Sequence, residues 1–170
     1  MPLRKRPFDL FLVCCFGVFA FTSLVMEPYF VFGVDYHRAG DPFAWGWLWY
    51  ARFDPIFVRR PLWLRLFCGV DFAVYGPFYL LLMWSFWKRA DFIRIPALCF
   101  VTAIGYSTLV YFAVEFLEER DANLPVVVLV IVPYLIVPAL LAWRVRHANP
   151  FQGALHEPRS ASQHLASCAR

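Results

Sequence analysis

The sequence predicts an all-α integral membrane protein, a bundle of four transmembrane helices with a long first extramembrane loop. Hydrophobic residues make up 61% of the 170 residues and charged residues only 16%. The apolar residues gather in four segments, each near the ~20 residues that an α-helix needs to cross a bilayer. A soluble domain of this size has no way to bury so much apolar surface, whereas lipid solvates it. The aromatic share of 20% agrees, because Trp and Tyr favour membrane interfaces.

The four predicted spans are separated by polar or charged connections. They run roughly over Pro7–Glu27, Pro61–Trp87, Ile95–Phe116 and Pro125–Trp143. The fourth span begins with a valine-rich run, but a lone strand cannot satisfy its backbone in lipid, so a helix is required. Pro77 in the second span, and Pro133 and Pro138 in the fourth, predict bends because proline has no backbone N–H to donate.

The first connection, from Pro28 to about Arg60, is too polar to span the membrane and too rich in tryptophan for a free linker. We expect it to fold as a cap at the interface, partly inserted between the helices. Residues 1–6 form a basic N-terminus and residues 7–146 the membrane domain. The polar segment 147–170 lacks periodicity and is predicted to be disordered.

The net charge of +4 is spread in small basic groups. A nucleic-acid binder usually places its cations in one stripe, so anchoring at a membrane surface is the better interpretation. One side of the predicted bundle carries Arg4, Lys5, Arg6, Lys88, Arg89, Arg94, Arg144 and Arg146. The other carries Arg38, Arg52, Arg59, Arg60 and Arg120. The positive-inside rule then places both termini in the cytoplasm. The host would be the endoplasmic reticulum membrane in a eukaryote or the plasma membrane in a bacterium.

No motif for catalysis, metal binding or a cofactor is visible. Four of the five cysteines lie in apolar segments without metal-ligand spacing, which is typical of small buried side chains. There is no glycine-rich phosphate loop and no GxSxG motif, and none of the four histidines falls inside a span.

Three acids are the candidate functional residues. Asp71 lies about ten residues into the second span, where an ionised group is costly unless paired or hydrated. It is either a counter-ion in a binding cavity or a partner for Thr102, Ser107 or a tyrosine. Glu27, at the end of the first span, and Asp54, before a proline, have simpler interpretations as an interfacial acid and a turn residue. Tyr134 stands out among the aromatic residues because it lies between two prolines.

Several short motifs, taken in order, resemble the EXPERA family. They are Trp49–Pro55, Pro61–Trp63, Leu66–Cys68 with Asp71 and Pro77, Ile93–Ala97, and Pro133–Pro138. The similarity covers roughly residues 7–146 and is strongest to the sigma-2 receptor branch, which is related to the emopamil-binding-protein sterol isomerases.

The resemblance implies four helices around a pocket that opens to the bilayer and takes sterols or lipophilic amines. It places ligand-contacting acids on Glu27 and Asp54, a further pocket acid on Asp71, and a pocket tyrosine on Tyr134. That branch has Asp at the position of Glu27 and Glu at the position of Asp71. The negative charge is therefore kept at both positions, while the length of the side chain changes. The basic C-terminal end of the branch is missing here.

The predicted function is therefore binding of a sterol-like or amine-bearing lipophile, with Glu27 and Asp54 at the polar end of the pocket and one of them holding a proton. Membrane lipids surround the protein, and a second copy or another membrane protein remains an open partner. One alternative is a sterol or isoprenoid double-bond isomerase, although the isomerase branch uses an intramembrane histidine that is absent here. Another is a regulator of a lipid transporter without a ligand site of its own.

Overall fold

The computed structural model describes residues 3–37, 40–119 and 121–151, and this part of the chain contains helices and no strand. Four helices are long and apolar enough to cross a membrane. They are α1 (Pro7–Val31), α4 (Leu62–Lys88), α5 (Asp91–Leu117) and α6 (Leu124–Arg144). Two shorter helices, α2 (Pro42–Tyr50) and α3 (Ile56–Arg59), lie in the first connection. A 3₁₀ turn over Leu3–Lys5 precedes α1. The four-helix prediction is confirmed.

Two of the spanning helices contain a π turn, which the sequence pattern did not indicate. In α1 it covers Thr22–Met26, and in α4 it covers Asp71–Tyr75. Each is followed by a proline in the first turn of the next α-helical segment, Pro28 and Pro77. A π turn interrupts the regular i→i−4 bonding, so a residue without an N–H is tolerated just after it. This is why α1 continues to Val31, past its predicted end at Glu27.

The fourth span is divided near its middle. Its two α-helical segments are Leu124–Ile131 and Pro133–Arg144, with Val132 between them. Pro133 begins the second segment, where its missing N–H costs little. Pro138 lies inside that segment.

Helix pairing divides the bundle into two halves. The most extensive contacts join α1 to α4 and α5 to α6. A core of large buried side chains fills the space between the halves toward the end where the helices carry most of the Lys and Arg residues, which we call the basic end. A second buried cluster, containing Trp47 and Phe57, lies at the opposite end beneath the first connection. We call this the loop end.

The basic end is tied together by one buried carboxylate. Asp9 of α1 is 2% exposed. It accepts hydrogen bonds from Arg6 at 2.8 Å and from Arg144 of α6 at 2.6 and 3.2 Å. The α1 start and the α6 end are therefore held by a single charge, since a buried carboxylate requires such partners.

The start of the predicted polar tail packs against this end. Phe151 is buried against the aromatic core, and its backbone N–H donates to Asp91 at 2.8 Å. Arg89 donates to its carbonyl. The remainder of the predicted tail, 152–170, lies outside the described residues.

The first connection forms a cap that enters the bundle. The Asp41 side chain caps α2 by accepting from the backbone N–H groups of Phe43 and Ala44 at 3.0 and 3.2 Å. Trp47 of α2 stacks on Phe57 of α3 with ring centroids 5.0 Å apart. Its indole N–H donates to a carbonyl of the α1 π turn at 2.8 Å. The tryptophan-rich character of this segment thus reflects inward packing as well as the interface.

Candidate functional site

A cavity of about 340 Å³ lies under the cap, between all four spanning helices. Its wall is mainly apolar, as expected of a site for a small lipophile. The apolar part includes Met26, Trp47, Phe57, Leu64, Phe67, Ile104, Val130 and Ile131. The polar part is formed by Thr22, Glu27, Tyr50, Cys68, Asp71, Tyr75, Ser107, Thr108, Tyr111 and Tyr134.

The two π turns face each other and place the first pair of acids. The α1 turn leads directly into Glu27, and the α4 turn begins at Asp71. Ser23 of α1 donates to the Asp71 carboxylate at 3.0 Å. Gly76 allows this approach, because a Cβ there would lie 2.6 Å from Leu24 Cδ2. Such turns recur at functional sites because they break the regular presentation of side chains.

Glu27 and Asp71 are electrostatic neighbours, and Cys68 lies beside Glu27. The Oε2 atom of Glu27 is buried, and no described residue donates to it. Two carboxylates this close in an apolar wall repel each other, and an unpaired buried oxygen is costly. The pair is therefore suited to a ligand that brings a positive charge or a hydrogen-bond donor.

Asp54 lies behind the wall rather than in it. Its residue is fully buried, and Tyr111 of α5 donates to its carboxylate at 2.5 Å. Tyr50 of α2 donates more weakly at 3.5 Å, and the Ile56 backbone N–H at 3.3 Å. Burial raises the pKa of Asp54, and these donors with Arg59 partly offset that effect. The hydrogen bond from the Ile56 backbone agrees with the interpretation of Asp54 as a turn residue. Tyr50 and Tyr111 connect Asp54 to the cavity, because both tyrosines line it.

Tyr134 of α6 lines the cavity. Its hydroxyl is 3.0 Å from that of Thr22 on α1, and its ring stacks on Phe19 with centroids 4.4 Å apart. A second hydroxyl pair, Tyr75 and Ser107 at 3.3 Å, links α4 to α5. Ser107 and Thr108 of α5 also line the cavity. Asp71 takes its hydroxyl partner, Ser23, from α1 instead of from the expected Thr102, Ser107 or a tyrosine.

Of the four residues singled out in the sequence, Glu27, Asp71 and Tyr134 line the cavity. Asp54 reaches it only through Tyr50 and Tyr111. Glu27 has Asp71 as its acidic neighbour, a pairing of α1 with α4 that the linear pattern did not indicate.

Sequence reasoning missed Tyr111 and Glu115 as members of the site. Glu115 is fully buried on the same face of α5, one turn beyond Tyr111. The signal was the i, i+4 spacing of Tyr111 and Glu115, which places both on one helix face. In the described part of the chain, no group of three or more His, Cys, Asp or Glu residues is arranged to hold a metal ion.

Comparison with known families matches residues 42–145 to EBP, described as EXPERA (EXPanded EBP superfamily). This chain belongs to the EXPERA superfamily. The family predicted from the short motifs is thus confirmed. The matched EXPERA region includes Asp54, Asp71, Tyr111 and Tyr134, while Glu27 on α1 precedes it.

This EXPERA chain is also similar to a probable 3-beta-hydroxysteroid-Delta(8),Delta(7)-isomerase of Arabidopsis thaliana, with 26% identity over 117 residues. The alignment covers 68% of this chain and 52% of the plant protein, so the chain spans about half the length of that curated relative. No solved structure matches it. The chain is thus a multi-pass membrane protein of a superfamily that has a probable sterol isomerase among its relatives.

Proposed function

We propose that this protein binds a sterol-like or amine-bearing lipophile in the cavity under the cap. The observation that carries the proposal is the Glu27–Asp71 pair in a mainly apolar cavity of about 340 Å³. An apolar wall with a few placed polar groups suits a small lipophilic ligand. The similarity to a probable sterol isomerase supports a sterol-like body for the ligand.

Different parts of the cavity wall would bind the charged group and the apolar body of the ligand. A ligand ammonium would pair with the acid pair, relieving the repulsion between its members. The tyrosine rings of Tyr50 and Tyr111 would add contacts to a cation. Trp47, Phe57 and Ile131 would hold the apolar body.

The test is direct binding by the purified full chain in lipid nanodiscs, with a lipophilic amine and a neutral sterol as separate probes. Gly46 lines the cavity, and a Cβ there would already lie 3.3 Å from Met26 Cε. Gly46→Leu should therefore fill part of the cavity and weaken the binding of both probes. Gly69→Leu is the matched control, because a Cβ at Gly69 meets nothing within 4 Å. Equal binding by both variants and the unmodified chain would show that the cavity is not the site. Failure of the unmodified chain to bind either probe would favour the transporter-regulator alternative.

A second candidate function is sterol double-bond isomerisation, which the plant relative's name favours. The reaction needs a proton donor on one carbon and a base on another. If Glu27 and Asp71 share one proton, they would offer one acid and one base at the same cavity wall. We expect no turnover, since no span contains a histidine. Incubation with a Δ8 sterol decides this: formation of the Δ7 product that is lost in Asp71→Asn would establish the enzyme.

We further propose that the basic end faces the cytoplasm, because that end carries most of the Lys and Arg residues. In a background without native cysteines, Lys5→Cys should react only with reagent applied from the cytoplasmic side. Asp121→Cys should react only from the opposite side. Reaction of both from one side would refute the topology.

A further inference from the structure

Glu115 is a buried acid that the ligand site as described does not use. It is fully buried in α5, and neither carboxyl oxygen receives a hydrogen bond from a described residue. Its nearest charged and titratable neighbours in the described chain are Asp54, Tyr111 and Arg59. Tyr50, from α2, faces the same group.

Counting protons in this group fixes where the charge lies. Tyr111 has one hydroxyl proton, and it is directed to Asp54 at 2.5 Å. Asp54 also receives the Tyr50 hydroxyl and the Ile56 backbone N–H. Asp54 therefore has the donors that stabilise a carboxylate, and Glu115 has none of them.

A buried carboxylate without a donor is far more costly than a neutral carboxyl group. Arg59 does not remove this cost for Glu115, because it forms its ion pair with Glu119, just past the end of α5. When Glu115 keeps its proton, it becomes a donor, and the Tyr111 oxygen beside it is the available acceptor.

We propose that Asp54 and Glu115 share a single proton across the Tyr111 hydroxyl, and that a cation bound in the cavity expels this proton at the loop end. The cation would lie against Tyr50 and Tyr111, which form the cavity wall in front of the pair. The pair then changes from one negative charge to two, and the ligand supplies the compensating positive charge.

We assign the exit of the expelled proton to the Arg59–Glu119 pair, because Arg59 is the charged neighbour of Glu115 that reaches solvent. The proton leaves the Glu115 carboxyl group, whose O–H bond breaks, and is accepted by water beside the Arg59–Glu119 pair, where the Arg59 side chain is 56% exposed. Glu115 remains as a carboxylate. Ligand dissociation reverses the step, so binding at the cavity is coupled to the pH on the loop side.

The shared proton is tested without any ligand. The infrared spectrum of the full chain in nanodiscs at neutral pH should contain the band of a protonated carboxylic acid. The component of that band that comes from Glu115 should be lost in Glu115→Gln and should persist in Glu118→Gln, the matched control at the exposed position directly after the same helix. In Tyr111→Phe the band should remain but shift, because the acceptor of the Glu115 proton is removed. A spectrum unchanged in Glu115→Gln would mean that Glu115 is ionised, and the proposal would fail.

The coupling is tested with a lipophilic quaternary ammonium probe, whose own charge does not change with pH; this part rests on the proposed function. Calorimetry near neutral pH in two buffers of different ionisation enthalpy should show release of about one proton per bound probe. The affinity for the probe should rise about tenfold per pH unit wherever this proton is released on binding. Glu115→Gln should release none and show a flat profile. Equal proton release by Glu115→Gln would overturn the coupling. If the unmodified chain binds no probe, the proposed function fails, while the infrared result still decides the shared proton.

Discussion

Single residues decide the chemistry of the cavity, and the acids there differ in their surroundings. Glu27 and Asp71 face the cavity directly, with Ser23 as the hydroxyl donor to Asp71. Asp54 is satisfied by tyrosines behind the wall. Direct charge recognition should therefore depend most on the first pair, because its groups have fewer donors and line the cavity.

Glu27→Gln and Asp71→Asn each keep the size of the side chain and remove its charge. Each should weaken binding of a lipophilic amine about tenfold to several hundredfold, equivalent to ~1–3 kcal/mol for a charge-assisted hydrogen bond. A neutral sterol should be affected less. Because the two acids interact, the double variant should lose less than the sum of the single losses. Saturation binding measures these values, with Glu118→Gln as the control; amine affinity unchanged in both single variants would show that the acids are structural.

Asp54 should make stability depend on pH. Burial raises its pKa in the folded protein. A raised folded pKa means that the folded state holds the proton to higher pH than the unfolded state does, so this contribution to stability falls as pH rises through the folded value. As the pH rises above the ordinary range of an aspartate carboxyl group, the melting temperature of the unmodified chain should therefore fall relative to that of Asp54→Asn. Parallel melting curves of the two proteins in the same detergent would contradict the assignment.

At the scale of secondary-structure elements, two π turns and one glycine determine how closely α1 and α4 approach each other at the cavity. The paired π turns and Gly76 let the two helices meet where Glu27 and Asp71 are presented. The contact leaves no space for a side chain, since a Cβ at Gly76 would also lie 2.9 Å from Leu24 Cγ.

Gly76→Ala should lower the free energy of unfolding by about 1–3 kcal/mol, the usual cost of overpacking a tight contact. Leu24→Ala in the same chain should recover most of that loss by removing the clashing atoms. Gly105→Ala is the control, because a Cβ at Gly105 meets nothing within 4 Å. Thermal stability in detergent measures all three; a Gly76→Ala protein as stable as Gly105→Ala would contradict the close approach.

At the scale of the whole molecule, the two ends of the bundle are stabilised differently. The loop end depends on aromatic packing of the cap, whereas the basic end depends on Asp9 between Arg6 and Arg144. The second arrangement joins the first and last spanning helices, so it closes the bundle.

Asp9→Asn should leave Arg6 and Arg144 partly buried without a counter-charge, which typically costs about 3–5 kcal/mol in the free energy of unfolding. The loss should appear as a lower melting temperature with the cavity ligand affinity little changed, because the cluster lies at the other end. Asp35→Asn, at an exposed position of the loop, is the control. A melting temperature equal to that of the control would mean that Asp9 does not close the bundle.

The chain's one-dimensional pattern was sufficient for the four spans and the family. Crossing a bilayer requires only length and apolarity, both of which can be counted along the chain. The motif order from Trp49 to Pro138 similarly identified the superfamily. Glu27, Asp71 and Tyr134 could be found because polar groups inside apolar segments are conspicuous, and each of them lines the cavity.

Only the tertiary structure decided which groups meet. The π turns at Thr22–Met26 and Asp71–Tyr75 carry no composition signal, yet they set which acids become neighbours. Phe151 belongs to the core because α6 returns it to the basic end. Glu115 looks like part of an acidic turn in the sequence, but its helix face turns it inward toward Asp54. The sequence by itself determined the four apolar spans, while the structure determined the partners of their polar residues, because a buried charge depends on groups far away along the chain.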